Sequence, residues 1–136
     1  MSDNARSGIP HFFLNALRIV TGLMFLEHGA QKLFAVFGRE EAVHLFSQMG
    51  LAGILEFWGG LLIALGLVTR PVAFVLAGEM AWAYFQVHFP RSWFPIMNRG
   101  ELPILYCFIY LFLAANGGGS FSIDGLIAAR RRAKAE

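Results

Sequence analysis

Cysteine, histidine and charged residues are scarce in this sequence, and each shortage excludes a class of function. The single cysteine, Cys107, lies in the apolar run ILYCFIYLFLAA, so the chain can form neither an internal disulfide nor a C-x-x-C dithiol. The four histidines include no H-x-x-x-H spacing, and we predict no metal site. Phosphate loops, dinucleotide fingerprints and nucleophile–base constellations are also missing. The chain therefore carries no redox centre of its own.

Charge is low and apolar content is high. Charged residues make up 15% and hydrophobic residues 57% of the 136 residues, against about 25% and about 45–50% in average soluble domains. A soluble protein of this size could not bury so much apolar surface. A net charge of +2 gives no reason to expect a nucleic-acid partner. The lipid bilayer is the predicted environment.

Four segments approach the roughly 20 apolar residues that a membrane-spanning helix needs. They cover residues 12–37, 50–69, 71–88 and 101–116. We predict an all-α protein, an integral membrane four-helix bundle that forms one domain over residues 1–136. We expect the first helix to be retained rather than cleaved as a signal. Residues 120–136 predict a short interfacial helix with Asp124 as its N-cap.

The distribution of basic residues predicts the orientation of the spans. Arg130, Arg131, Arg132 and Lys134 cluster at the C-terminus, which should therefore face the cytoplasm. Four spans place the N-terminus on the same side.

Several polar side chains lie at membrane depth, where ionisable groups count as functional candidates. At a rise of about 1.5 Å per residue, Glu27 lies about 22 Å along the first helix and Glu56 about 9 Å in from the outer end of the second. Gln86 and Glu101 come to similar depths on the last two helices, which predicts one shared pocket in the outer third of the membrane. The candidates for proton exchange are Glu27, His28 and Glu56. The candidate ligand-binding residues are Gln31, Lys32, Trp58, Glu79, Trp82, Gln86, His88, Asn98 and Glu101.

Structural roles remain open for the same residues. Glu56 could hydrogen-bond across helices as a packing contact, and Glu27 with His28 could form a pair at the membrane rim. The ammonium group of Lys32 could extend to the headgroups. Arg18 could form a structural ion pair with Glu79.

Four stretches of the sequence resemble the DoxX family of small membrane proteins. They read LRIVTGLMFLEHGAQKLF, GILEFWGGLLIALGLVTRPVA, AGEMAWAYFQVHFP with FPIMNRGELPILY, and GGGSFSIDG. The resemblance covers nearly the whole chain in the right order, and Arg99 departs from the family pattern, which has glycine there. The matching positions are His28, Gly29, Lys32, Glu56, Gly59, Gly60, Thr69, Arg70, Glu79, His88, Asn98, Glu101 and Asp124.

The resemblance implies a four-helix protein of the bacterial inner membrane with a link to quinone-dependent oxidoreductases. On this hypothesis Glu27, His28 and Glu56 exchange protons with a quinone head group or hydrogen-bond it. Trp58 and Trp82 would line the apolar part of its site. The quinone and any oxidoreductase partner subunit would carry the electrons. A small-molecule transporter or binder, acting as a homo-oligomer, and a non-catalytic assembly partner are the alternatives.

Overall fold

A computed structural model describes residues 3–135, and within that range the chain forms six α-helices and no β-strand. The helices are α1 (Asp3–Phe34), α2 (Gln48–Leu65), α3 (Thr69–Ala83), α4 (Pro95–Asn98), α5 (Glu101–Asn116) and α6 (Ile123–Ala133). A π-helical turn, Tyr84–His88, and a 3₁₀ turn, Phe89–Arg91, follow α3 directly. The all-helical prediction is confirmed.

The helix ends differ from the predicted spans where the backbone leaves helical conformation. The first helix ends at Phe34 rather than at residue 37, because Ala35 and Phe37 adopt positive φ angles of 52° and 53°. The second helix ends at Leu65 rather than at residue 69, and its C-cap is Gly66, whose φ of 67° suits a residue without a side chain. The fourth predicted span, residues 101–116, coincides with α5.

Two of the described helices are long and apolar enough to cross a membrane, judged by length and composition alone. They are the Gly8–Phe34 part of α1, with 27 residues, and α2, with 18 residues. The apolar helix α5 is shorter, at 16 residues.

The core lies where α1, α2, α3 and α5 meet. Each of these helices contributes buried apolar side chains, and α1 packs mainly on α2 while α3 packs mainly on α5. The core residues are Phe25, Ile63, Ala73, Leu76, Ala77, Met80, Tyr106, Tyr110 and Leu113.

Glycines let α1 and α2 approach until their backbones touch. A Cβ atom added to Gly29 would lie 2.2 Å from the backbone nitrogen of Phe57, and one added to Gly60 would lie 2.5 Å from that of Leu26. Neither position could hold a larger residue without separating the helices. This close contact fixes the register of α1 against α2.

Arg18 ties three elements together at one end of the molecule, which we call the Arg18 end. Its side chain is 1% exposed and donates hydrogen bonds to the carbonyls of Ile63 and Ala64, in the last turn of α2. It also donates to the carbonyls of Gly118 and Phe121 in the loop before α6. A cation suits the C-terminus of a helix, where carbonyls lack partners. The predicted ion pair between Arg18 and Glu79 is therefore wrong.

Asp124 caps a different helix from the one predicted. The N-cap of α6 is Ser122, whose hydroxyl accepts a hydrogen bond from the Gly125 N–H at 3.0 Å. The Asp124 carboxylate instead accepts the N–H groups of Val68 and Thr69, both at 2.9 Å, at the start of α3. The residue before α3 offers no side-chain cap, so α6 supplies it from a distant part of the sequence.

We expect the Asp124 cap to give the protein a pH-dependent stability. Burial alone would raise the pKa of Asp124, but the hydrogen bonds from Thr69 and Val68 and the charge of Arg18 hold this pKa below its ordinary value. A carboxyl group with a depressed folded-state pKa stabilises the fold above its unfolded pKa, about 3.9, and this contribution is lost as the pH falls through the lower folded pKa.

The measurement is the melting temperature in mild detergent between pH 7 and pH 3. Asp124→Ala should lower the free energy of unfolding at pH 7 by about 1 kcal/mol, as the loss of a helix cap does. Asp124→Asn is the matched control, because it keeps an oxygen acceptor but does not titrate. The difference between wild type and Asp124→Asn should shrink towards pH 3, and a constant difference would contradict this role.

Candidate functional site

A buried ion pair joins the last turn of α1 to the middle of α2. The Nζ atom of Lys32 contacts both carboxylate oxygens of Glu56, and the Lys32 and Glu56 side chains are 16% and 6% exposed. Gly53, one turn before Glu56, leaves room for the Lys32 stem, since an added Cβ atom would lie 3.1 Å from the Lys32 Cβ. The cross-helix hydrogen bond considered for Glu56 is thus present, and Lys32 turns inward rather than towards a headgroup region.

Glu79 on α3 has no such partner. Both of its carboxylate oxygens are buried, and neither accepts a hydrogen bond from any described residue. The charges of Glu56 and Lys32 act on Glu79, so these three groups form one cluster. A buried polar group without a partner is uncommon and calls for an explanation, often an unseen ligand, ion or water. Glu79 is therefore the residue of the site that most strongly indicates a ligand.

Two tyrosines on α5, which the sequence did not single out, are buried in the core. Tyr106 is 3% exposed, and its hydroxyl has no partner among the described residues. Its ring packs edge-on against Phe25 at 4.7 Å, and Tyr110 donates a hydrogen bond to the Thr21 carbonyl at 3.1 Å. The spacing of four between the tyrosines places them on one face of α5. This spacing of two hydroxyl-bearing residues within an otherwise apolar run is the sequence feature that could have identified them.

A cavity of about 420 Å³ opens between α2 and α3 beside Glu79. Its walls are largely apolar, with Glu79 as the ionisable residue and Trp82 as the aromatic one. The lining residues are Gln48, Leu51, Ala52, Leu55, Val75, Gly78, Glu79 and Trp82. Gly78 faces open space, because a Cβ atom added there would meet nothing within 4 Å. The cavity can accept a flat apolar molecule that hydrogen-bonds a carboxyl group.

The remaining predicted site residues lie elsewhere. Glu27, His28 and Gln31 line a separate concavity of about 220 Å³ on the outer face of α1. The Trp58 side chain is 57% exposed and lines a neighbouring apolar groove of about 310 Å³. Gln31 donates a hydrogen bond to the Phe37 carbonyl at 3.1 Å.

A third group of predicted residues holds the loop before α5. Asn98 is 1% exposed, donates to the Ser92 carbonyl at 2.8 Å and accepts from the Gly100 N–H at 2.7 Å. The Nδ1 atom of His88 lies 3.0 Å from the Asn98 carbonyl oxygen. Gln86 and Glu101 are exposed, and neither lines the α2–α3 cavity. The structure thus brings together Lys32, Glu56, Glu79 and Trp82 from the predicted set and separates the rest.

The Lys32–Glu56 pair makes a testable prediction about stability. Removing one partner leaves the other charge buried and alone, so Glu56→Leu and Lys32→Met should each lower the free energy of unfolding by about 3–5 kcal/mol. The double variant removes both charges and should regain most of that loss. Thermal unfolding of the four proteins in the same detergent tests this. A double variant whose loss equals the sum of the two single losses would show that the groups do not interact.

The chain is similar in sequence to several known proteins. The sequence model of the DoxX family matches residues 13–89. An uncharacterized protein of Haemophilus influenzae is 39% identical over 120 residues, which are 83% of this chain and 89% of that protein. "Inner membrane protein YqjF" of Escherichia coli is 32% identical over 116 residues, 81% of this chain and 88% of its own.

A third relative has a name that bears on chemistry. "Putative oxidoreductase CatD" of Bacillus subtilis is 28% identical over 118 residues, which are 82% of this chain and 84% of that protein. No solved structure matches the chain. The family match over more than half of the chain, and the Haemophilus relative that aligns with most of it, lead to one conclusion: this chain belongs to the DoxX family.

Proposed function

We propose that this chain is a multi-pass protein of the bacterial inner membrane, in which α1, α2, α3 and α5 cross the bilayer as a four-helix bundle. Large apolar side chains point outward on all four helices. Phe12, Phe74 and Phe108 are each 67% exposed, and Trp58 is 57% exposed. In water such a surface would be unfavourable at about 25 cal/mol per Å², whereas in lipid it is the ordinary outer surface of a spanning bundle.

The proposed orientation places the Arg18 end in the cytoplasm. Helix α6 begins there and exposes Leu126 and Ile127 together with its basic last turn. A helix with apolar side chains and a cationic end suits the surface of an anionic leaflet. With four spans, both termini lie on this side.

The function that we propose is quinone-linked redox chemistry, with the quinone head group in the α2–α3 cavity. The observation that carries the proposal is Glu79, which lines an otherwise apolar cavity and whose buried carboxyl group has no hydrogen-bond partner among the described residues. A quinol offers the hydroxyl donor that Glu79 lacks. The relative named as an oxidoreductase supports a redox role at the level of the family.

The size and lining of the cavity fit this ligand class. Binding cavities for small molecules usually measure about 300–1,000 Å³ and combine apolar walls with a few polar groups. The Trp82 ring offers a flat surface for an aromatic head group, and Leu51, Leu55 and Val75 offer apolar contacts. An isoprenoid tail would continue into lipid, because the cavity lies between two spanning helices.

Each residue of the cluster then has a role. Glu79 accepts the hydrogen bond of a ligand hydroxyl and holds the proton that leaves it. Lys32 neutralises Glu56, so Glu79 can change its charge without leaving two unpaired carboxylates side by side. A quinol that is oxidised to the quinone would give up two electrons and two protons. Glu79 would hold one proton and the second would pass to water, while both electrons would pass to an acceptor in a partner subunit.

Binding of a short-chain quinol analogue to the purified protein in nanodiscs tests the proposal. The change in tryptophan fluorescence should saturate, because Trp82 lines the cavity. Glu79→Leu removes both carboxyl oxygens and should weaken binding about two- to tenfold, since a hydrogen bond contributes about 0.5–1.5 kcal/mol. Gly78→Leu should abolish binding by filling the cavity.

Gly8→Leu is the matched control for the glycine variant. An added Cβ atom at Gly8, as at Gly78, meets nothing within 4 Å, and Gly8 lies on α1 away from the cavity. Gly8→Leu should therefore bind the analogue as wild type does. If wild type binds no quinol, or if Gly78→Leu binds it as well as wild type, the redox proposal fails and an assembly role becomes the better explanation.

A further inference from the structure

The outer face of α1 carries a heptad repeat. Residues on it recur at alternating spacings of four and three, which is the pattern of a helix that packs along a second helix. We call this set the α1 seam, and it consists of Phe13, Leu17, Val20, Met24, Glu27, Gln31 and Phe34. The seam is about 32 Å long at 1.5 Å per residue, close to the roughly 30 Å of a hydrocarbon core.

The other described helices leave most of this seam uncovered, and only its last residue, Phe34, is seen to pack edge-on against an α2 ring, that of Phe57, at 5.3 Å. The exposed fractions are 64% for Phe13, 54% for Val20, 41% for Met24 and 58% for Phe34. The opposite side of α1 carries Gly22, Gly29 and the other residues that meet α2. Lipid alone could cover an apolar seam, so its exposure does not by itself identify a partner.

The polar residues of the seam argue against lipid. Glu27 is exposed although it lies seven residues before Phe34, the last residue of α1, and it makes no hydrogen bond within the described part of the chain. A carboxyl group that faces hydrocarbon is unfavourable, and such groups face a protein interior or a partner. Gln31 uses one N–H of its amide on the Phe37 carbonyl, which leaves its second N–H free.

The concavity around Glu27 has the composition of a knob-accepting hole. In parallel helix pairs a side chain at heptad position d enters a hole made by residues a, d, e and the next a of the facing helix. For Glu27 at position d, those residues are Met24, Glu27, His28 and Gln31. The same four residues, together with Phe37, line the concavity of about 220 Å³. The concavity is therefore suited to receive the Glu27 side chain of an identical, parallel helix.

We propose that the α1 seam binds the α1 seam of a second copy of this chain, so that Glu27 of each copy enters the hole of the other. The proposal rests on the membrane placement given above. Two copies inserted the same way are related by a two-fold axis along the membrane normal, which aligns identical helices in parallel and in register. The Glu27 carboxyl group then meets the free amide N–H of Gln31, the His28 ring and the Glu27 carboxyl group of the second copy, and the hydrogen bonds from Gln31 and His28 offset the repulsion between the two carboxyl groups. This complementarity selects a second copy over an apolar partner.

Disulfide trapping in native membranes tests the seam. The full chain carries Cys107→Ser, which removes its one cysteine, and receives either Val20→Cys in the seam or Val87→Cys as the control. The control matches in residue type and is similarly exposed, since Val20 is 54% and Val87 is 45% exposed, and Val87 lies in the π-helical turn after α3. Mild oxidation should convert the Val20→Cys protein to twice the 15.1 kDa chain mass at least tenfold faster than the Val87→Cys protein.

A second variant separates specific pairing from random collision. Adding Glu27→Ala and Gln31→Ala to the Val20→Cys protein should slow trapping about three- to tenfold, the range of the interhelical hydrogen bonds measured in membranes. Trapping of Val20→Cys no faster than that of Val87→Cys would overturn the proposal, and so would a product that contains a different polypeptide. Neither cysteine position lines the α2–α3 cavity, so the result stands apart from that of quinol binding.

Discussion

The backbone contact between α1 and α2 is the constraint on which the candidate site depends. Gly29 and Gly60 allow this contact, because a side chain at either position would strike the facing backbone. The contact brings the last turn of α1 beside the middle of α2, where Lys32 reaches Glu56. Since α3 packs in turn on α2 and α5, the same register brings Glu79 within electrostatic range of the pair. Small residues thus determine where the charges meet.

Two of the charged side chains inside the protein have partners, and a third has none among the described residues. Arg18 is fully buried and donates to four backbone carbonyls, so its charge stabilises the end of α2 and the loop before α6. Glu56 is neutralised by Lys32. Glu79 has neither kind of partner. A protein that satisfies its other buried charges and leaves this one open beside a cavity has the arrangement of a binding site, where a ligand completes the hydrogen bonds.

The sequence gives the position of a side chain along its helix but not the direction in which it points. The predicted shared pocket joined Glu27 to Glu56 because the helical rise gave them similar depths, but Glu27 lines a separate concavity on the outer face of α1. The Arg18–Glu79 pair was wrong because carbonyls at the end of α2 attract Arg18, and backbone groups are invisible in a sequence. Tyr106 was overlooked because a hydroxyl in an apolar run carries no charge signal. The bounds of α5 could be predicted from its flanking turn residues.

The two faces of α1 have different roles, since one packs inside the protein and the other is proposed to bind a second copy. Its inner face carries Lys32 towards Glu56, and its outer face carries Glu27 only five positions earlier. No residue of α1 lines the α2–α3 cavity, so a second copy seated on the outer face would leave that cavity open to lipid. A lipid-soluble ligand could then enter between α2 and α3 while the α1 seams remain paired. A redox partner that accepts electrons would approach from the side of α2 and α3, since the α1 side would be occupied.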